Sequence, residues 1–408
     1  MTDTLTLDTT QKNLTGVTLE NRGTATWSLG NIFIGSDATL RNTPTGTVDI
    51  TANVSALANG GASNLFDNQG TLTRSAGDGM SQVGIPFESS GSVDIATGTF
   101  ALARESDITG PVTVAAPATL ALSGTAHTLQ PAASLSGQGD LALQGGTNSL
   151  APSYSLTGEV RVTAGASTFD AVASIPRAVV TGGTLGTSSN VTITDMAWSG
   201  GTLNGSGTFI VTDTLTLDTT QKNLTGVTLE NRGTATWSLG NIFIGSDATL
   251  RNTPTGTVDI TANVSALANG GASNLFDNQG TLTRSTGDGE AFFSVPLNNS
   301  GAIHIQTGTV RCSSGYTQTS AGSLTTDARG NTLAEMSRLI GSVVVLDGEL
   351  VINPAGGYTP QVGDSITVLE YTTRVGEFAT LTGTDLGGGV TLVPNYIVNQ
   401  LFFNVTQN

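Results

Sequence analysis

The chain has 408 residues, 53 of them glycine, and 15 basic against 31 acidic side chains give a formal charge of −16. Charged residues are only 11 % of the whole, and the absence of any Lys/Arg cluster argues against nucleic acid or an anionic membrane surface as a partner. Hydrophobic residues make up 37 % and fall in short alternating runs, which excludes disorder and helical bundles, and no apolar run reaches the roughly 18 residues that a membrane-spanning helix needs.

Met1 is followed directly by Thr2, Asp3 and Thr4, with no charged n-region and no apolar h-region, so any export signal is expected upstream of this segment. The first clear elements are the runs Thr24–Trp27, Thr47–Ile50, Thr71–Arg74 and Ser92–Ile95. Each opens after a glycine, at Gly23, Gly46, Gly70 and Gly91. Short strands with Gly/Asn/Asp turns at a period of about 22 residues are the signature of a β-solenoid, one coil per period. Stacked in register, Ala25, Val48, Leu72 and Val93 form one inward column. Arg74 interrupts the next, and because a bare buried charge is costly it is expected where the strand ends or turns outward. Further turns precede strands at Leu135–Leu141 and Leu203–Phe209.

Thr2 to Ser75 then recurs residue for residue as Thr212 to Ser285, which points to recent duplication or to engineering. Ala235, Val258, Leu282 and Ile303 continue the inward column, and Arg284 repeats Arg74. A lone coil buries too little apolar surface to offset backbone ordering, so coils must stack. From about Gly315 longer runs appear, among them Val343–Leu346, Glu349–Ile352, Ser365–Leu369 and Leu401–Val405, while Leu333–Leu339 carries weak helical potential. The expected organisation is a solenoid unit over 1–210, a partial second unit over 211–314, and a β-rich segment over 315–408 that caps the open end.

The C-terminal motifs carry a resemblance. Gly315-Tyr-Thr-Gln318, Gly322-Ser-Leu324, Leu339-Ile-Gly341, Leu346-Asp-Gly-Glu-Leu350, Gly357-Tyr-Thr-Pro360, Gly363-Asp364 and Gly376-Glu-Phe378 resemble the passenger C-terminal repeat of bacterial autotransporters and related giant surface proteins. Trp198 to Phe209 is similar to the solenoid repeats of the same proteins. The resemblance covers residues 195–408 and reaches the first half by texture. It implies a secreted right-handed parallel β-helix serving as a stalk or adhesin. The segment Ala334–Leu339 departs from it in being less strand-like.

Candidate chemistry is sparse. Asp49 and Asp94 are expected to project outward two coils apart, about 9–10 Å along the stack, near the separation of an inverting glycosidase pair. The second unit keeps Asp259 but has His304 in the other place, so solvated strand carboxylates are the simpler reading. Lys12 and Lys222, the chain's lysines, sit in identical copies, and neither stands out as a base. His127 and His304 lack metal-ligand companions and are expected at the surface or in turns. Gly77-Asp-Gly79, Gly287-Asp-Gly289 and Gly363-Asp364 suggest Ca²⁺ loops, but both the nonapeptide array and the helical Ca²⁺ loop pattern are missing, so ordinary turns are expected. Thr24/Thr26 and Thr71/Thr73 suggest an ice-binding ladder that Asp49 and Asp94 interrupt. Trp27 and Trp237 keep phase with the inward column and are expected in the core, whereas Trp198 is a possible carbohydrate platform. Cys312 is the one cysteine, so no internal disulfide forms.

The expected protein is therefore an all-β, right-handed parallel β-helix with a C-terminal β-rich cap. It acts without catalysis, cofactor or metal, as an extracellular stalk or fibre segment of a bacterial surface adhesin or matrix protein. Its expected partners are neighbouring repeat units, itself, or cell-surface and matrix glycans. The alternatives are a polysaccharide-degrading β-helix enzyme, which predicts clustered carboxylates present in one unit alone, and a self-assembling fibre subunit.

Overall fold

The computed structural model describes residues 3–407, and every regular element among them is a β-strand. The strands pair in parallel between successive coils, which makes the fold an all-β parallel β-solenoid. Two compact units are defined. The first runs to Thr194 and includes Gly205–Gly207; the second comprises Asp195–Asn204 and resumes at Thr208.

Each coil supplies three short strands, one to each of three faces. In the first unit the first face is an eight-stranded sheet that begins Thr4–Leu7, Thr24–Trp27, Thr47–Ile50, Thr71–Arg74. Its pairings align Leu5, Ala25, Val48, Leu72, Val93, Val112, Leu135 and Tyr154 in one inward row. The expected column of Ala25, Val48, Leu72 and Val93 is in place, each at most 3 % exposed. In the second unit Ala235, Val258, Leu282 and Ile303 align in the same way. Alternation follows from the pleat: residues two apart share a face, so the Thr residues between the inward side chains point to solvent.

The glycine that marks each period has a steric cause. A Cβ on Gly70 would lie 2.2 Å from the Gly46 carbonyl oxygen, and one on Gly280 would lie 2.2 Å from that of Gly256. The turns of successive coils stack backbone on backbone, with Thr71 N–H donating to Gly46 O at 3.0 Å. Any larger residue would push the coils apart.

A polar ladder that the sequence reading did not anticipate runs inside the third face. Asn21, Asn42 and Asn68 occupy one register position, as do Asn231, Asn252, Asn278 and Asn299. Asn231 Nδ2 donates to Asn252 Oδ1 at 2.9 Å, Asn252 to Asn278 at 2.9 Å and Asn278 to Asn299 at 2.8 Å. The same amides also donate to backbone carbonyls of the next coil's turn, as Asn252 does to Thr281 O at 3.0 Å. Each buried amide therefore satisfies a turn that the strand ladders leave short of donors.

The C-terminal segment changes direction. Arg338–Leu346 pairs in parallel with Ser365–Gly376, whose first half pairs antiparallel with Gln400–Gln407. That strand pairs antiparallel with Val390–Tyr396. Leu392, Leu401, Phe403 and Val405 are buried in this layer. The helical potential of Leu333–Leu339 is not realised. Thr332 Oγ1 and N–H both bind Glu335 Oε2, at 2.6 and 3.2 Å, closing a single turn. Leu339 then enters the inward row between Val310 and Leu369, and tertiary pairing overrides the local preference.

Replacing Asn252 by Ala would remove the donor to Asn278 Oδ1 and Thr281 O in the interior, while Asn231 Nδ2 keeps Gly233 O and Thr257 O. Unsatisfied buried polar groups cost 1–3 kcal/mol each, so a loss of about 3 kcal/mol is expected. Urea unfolding followed by tryptophan fluorescence should show a clearly lowered midpoint, whereas the exposed Asn13→Ala should leave it in place.

Candidate functional site

The outward side of the third face carries the most concentrated charge. Glu20, Arg41, Asp67, Glu88, Asp107 and Thr128 stand in one register row of the first unit. Arg41 Nε donates to Asp67 Oδ2 at 2.7 Å, and Gln69 Nε2 donates to the same oxygen at 2.8 Å. Asp107 Oδ1 accepts from Gln130 Nε2 at 2.9 Å, and Glu88 is exposed. Asp67, Glu88 and Asp107 line a shallow depression of about 280 Å³ together with Gln69, Ser89, Ser90 and Thr109. Successive rungs set neighbouring carboxylates about 4.8 Å apart at the backbone. In the second unit the row reads Glu230, Arg251, Asp277, Asn298, Thr317. The salt-bridged start is repeated and the acidic continuation is not. The members of this row lie in different coils, so each reads alone as an exposed strand residue; the signal is the recurrence of a carboxylate at the same place in the three successive periods of Asp67, Glu88 and Asp107.

His127 overturns its surface expectation, being 1 % exposed. It fills an inward row with Ser106 and Asn148. Its Nε2 accepts from Gly124 N–H at 2.9 Å, so the ring proton sits on Nδ1, 2.8 Å from Ser106 Oγ. The imidazole thus donates to the serine, the reverse of the role of a general base toward a nucleophile. Burial is the main reason its pKa falls to about 4. His304 is half-exposed and binds the buried Asp327 through Nε2 at 2.8 Å. Asn353 Nδ2 donates to the same carboxylate oxygen at 2.7 Å. A carboxylate orients this ring as it would orient a base, yet its Nδ1 faces the Gln306 amide at 3.5 Å and not a hydroxyl or thiol.

Arg74 and Arg284 do not turn outward; both are 1 % exposed and point into the core. The desolvated charge is tolerated because oxygens replace its water. Arg74 donates to Thr97 O, Ala52 O, Asn53 Oδ1, Gly77 O and Gly79 O at 2.9–3.2 Å, and also to Ser81 Oγ. The Gly77-Asp-Gly79 turn therefore wraps a cation, and the cation is the chain's own guanidinium. Arg284 repeats the arrangement with Ala262 O, Asn263 Oδ1, Gly287 O and Gly289 O. Ala291 stands where the first unit has Ser81, and Arg284 Nε has no partner. Burial holds both guanidinium pKa values below the ordinary range.

Lys222 is fully buried, and its ammonium donates to Asp218 O, Thr220 O and Leu239 O at 2.6–3.2 Å. Burial lowers its pKa to about 8. Lys12, in the identical sequence, makes the equivalent bonds to Thr10 O and Leu29 O while remaining partly exposed.

Trp27 and Trp237 lie in the core as expected and donate to Gly30 O at 2.7 Å and Gly240 O at 2.8 Å. Trp198 is buried too, so its ring is no carbohydrate platform. Asp49 and Asp94 share a row with Thr73 between them, as do Asp259 and His304 with Thr283 between them. Asp364 accepts from Tyr358 Oη, Gln361 N–H and Asn331 Nδ2, and the tyrosine bond leads in holding its pKa below the usual carboxylate range. Cys312 is buried, which pushes its thiol pKa up. Among the described residues no group of three or more His, Cys, Asp or Glu side chains is placed to hold a metal ion. A depression of about 560 Å³ lies beside Tyr358, Pro360, Leu386 and Val390, with no charged residue in its lining.

No protein family matches the sequence, and no curated protein matches it. Among solved structures, the chain is similar to the crystal structure of the Haemophilus influenzae Hap adhesin. The identity is 13 %, the TM-score 0.29, and the alignment covers 95 % of this chain and 64 % of that one. The solenoid assignment stands on the strand register described above.

His127 makes stability depend on pH. Its folded pKa of about 4 lies below the ordinary 6.5, so between these values the unfolded chain binds the extra proton. Its contribution is complete above pH 6.5 and lost as pH falls toward 4, by roughly 3 kcal/mol. Asn148 shows that this row accepts asparagine, so His127→Asn should flatten that part of the stability–pH curve in denaturant titrations across the window.

Proposed function

We propose that this chain is a non-catalytic structural repeat segment, a stalk or fibre element of a bacterial surface adhesin or matrix protein, acting at the cell surface. One observation supports this above the others: the groups best suited to chemistry are committed to the fold. The His127 proton, the Lys222 ammonium and both buried guanidiniums end on internal oxygens, and they serve as cross-links between coils. A repeat whose sequence is maintained through its stacking residues is a unit of construction. The resemblance of the C-terminal motifs to autotransporter passengers agrees with an exported surface location, and the antiparallel layer at that end fits the role of a cap over an open coil. Neighbouring repeat units, and glycans met along the outer faces, are the partners this reading expects.

The Asp67–Glu88–Asp107 row favours a second reading, a polysaccharide-cleaving groove, because clustered carboxylates occur in one unit alone. Adjacent rungs approach the spacing of a retaining pair. Incubation with neutral and acidic polysaccharides, assayed for new reducing ends and unsaturated uronates, separates the two. The structural reading expects no release above the protein-free control. Release that Glu88→Gln abolishes would establish the enzyme instead.

A further inference from the structure

Four charged residues that set the first unit apart from the second gather along one stretch of its surface. Arg104 and Glu105 stand where the second unit has Ser314 and Gly315, and Glu88 and Asp107 where it has Asn298 and Thr317. The register makes the places equivalent, since Phe87 pairs with Ser106 as Leu297 pairs with Tyr316. In the second unit these positions close on the chain itself. Ser314 Oγ donates to Ser294 O at 2.8 Å, and Ser294 Oγ accepts from Ala268 N–H at 2.8 Å. In the first unit Gly84 replaces Ser294, and Arg104 is exposed. Among the described residues, Arg104 is the one Arg or Lys with neither an ion pair nor a side-chain hydrogen bond.

Arg104 lines a depression of about 170 Å³ that three successive coils enclose, with Asn64 from the first, Ile85 and Pro86 from the second, and Arg104 and Glu105 from the third. Asn64 is 4 % exposed and its Oδ1 has no partner, whereas Asn274 Oδ1 in the second unit accepts from Asp247 N–H at 2.9 Å. Pro86 and Glu105 also line a second depression of about 170 Å³, which reaches Glu88, Asp107 and Thr128.

We propose that these two depressions bind the tip of a glycan, with a sugar that carries one carboxylate at Arg104 and the neutral sugar behind it against Glu88 and Asp107. The proposal rests on the structural-repeat reading and names one class of glycan for it. A guanidinium that no carboxylate of the chain claims takes a ligand carboxylate through a fork of two hydrogen bonds. At about 170 Å³ the first depression is smaller than a drug-sized pocket and suits a single ring. Asn64 Oδ1 offers that ring an acceptor otherwise left unsatisfied. Beyond Glu105 the lining turns acidic. Carboxylates there accept from sugar hydroxyls but repel a second anion, so a chain with an acid on every ring is disfavoured. The second unit, with Ser314, Gly315, Asn298 and Thr317 in these places, meets neither condition.

Calorimetric titration of the full chain with sialyllactose, lactose and trigalacturonate tests the proposal. The first carries a single acidic sugar at its tip, the second none, and the third a carboxylate on each ring. Sialyllactose should bind at least about 10-fold more tightly than either of the others. Arg104→Ser places the second unit's residue at an exposed position, so the urea midpoint should stay in place while sialyllactose affinity falls at least about 10-fold. Arg104→Lys, which keeps the charge and loses the fork, should lie between the two. Absence of sialyllactose binding, equal binding of lactose, preference for trigalacturonate, or an affinity that Arg104→Ser leaves unchanged would each overturn the proposal. None of these outcomes creates a new reducing end, so failure of this site is told apart from failure of the structural reading.

Discussion

Everything in this molecule depends on the close stacking of one coil on the next. Backbone amides of each turn and strand reach the carbonyls of the coil before, and glycine at the turn is what lets them approach. With the coils at that spacing, every register position becomes a row of like surroundings. Leucine and valine rows fill the interior, threonine rows face water, and polar residues survive inside only where a ladder of the same chemistry satisfies them. The asparagine ladder is one such row. The arginine inside the Gly77–Gly79 turn is another solution to the same problem, since backbone oxygens of three successive coils surround it.

The two copies show what this constraint tolerates. Over 2–75 and 212–285 their inward rows, glycine turns and asparagines coincide, and beyond them the ladder ends on Ser89 in the first unit and goes on to Asn299 in the second. Past that stretch they part at the surface, at single polar contacts and in the core: Asn298 and Thr317 follow Asp277 where Glu88 and Asp107 follow Asp67, Ala291 stands in for Ser81 beneath the buried arginine, and Leu297 and Val310 replace Phe87 and Phe100. Identical sequence also behaves differently according to what lies beneath it, as Lys12 and Lys222 do. Side-chain burial in a solenoid belongs to the stack as much as to the residue, and so does the pKa shift that burial causes.

Much of this was legible in the sequence. The period, the glycine markers, the inward column and the core position of Trp27 and Trp237 follow from alternation and spacing, because these depend on the single coil. Features that arise between coils were harder to read. The asparagine ladder left a signal in the recurrence of Asn shortly before the turn glycine, but satisfaction of one amide by the next is visible only once the register is known. Arg74 was expected outside because a bare buried charge is costly, and His127 because it lacked metal-ligand companions; the partners that make burial tolerable come from coils some 20 residues away in sequence. The strands of the C-terminal segment were recognisable as strands, whereas their antiparallel direction is decided by pairing. The acidic row was missed for the same reason: each carboxylate alone reads as an exposed strand residue.

The fold stands on parallel, in-register stacking, and cross-linking of paired cysteines tests that register most directly. Thr128 and Ser149 are register partners, about 4.8 Å apart and inside the Cα range of a disulfide. Cys312 is buried and out of reach. Mild oxidation of the Thr128→Cys/Ser149→Cys chain should yield the intramolecular disulfide nearly completely, and Thr128→Cys/Thr147→Cys, two residues out of register, should yield little. Efficient closure of the second pair, or failure of the first in a folded chain, would contradict the register on which the structure rests.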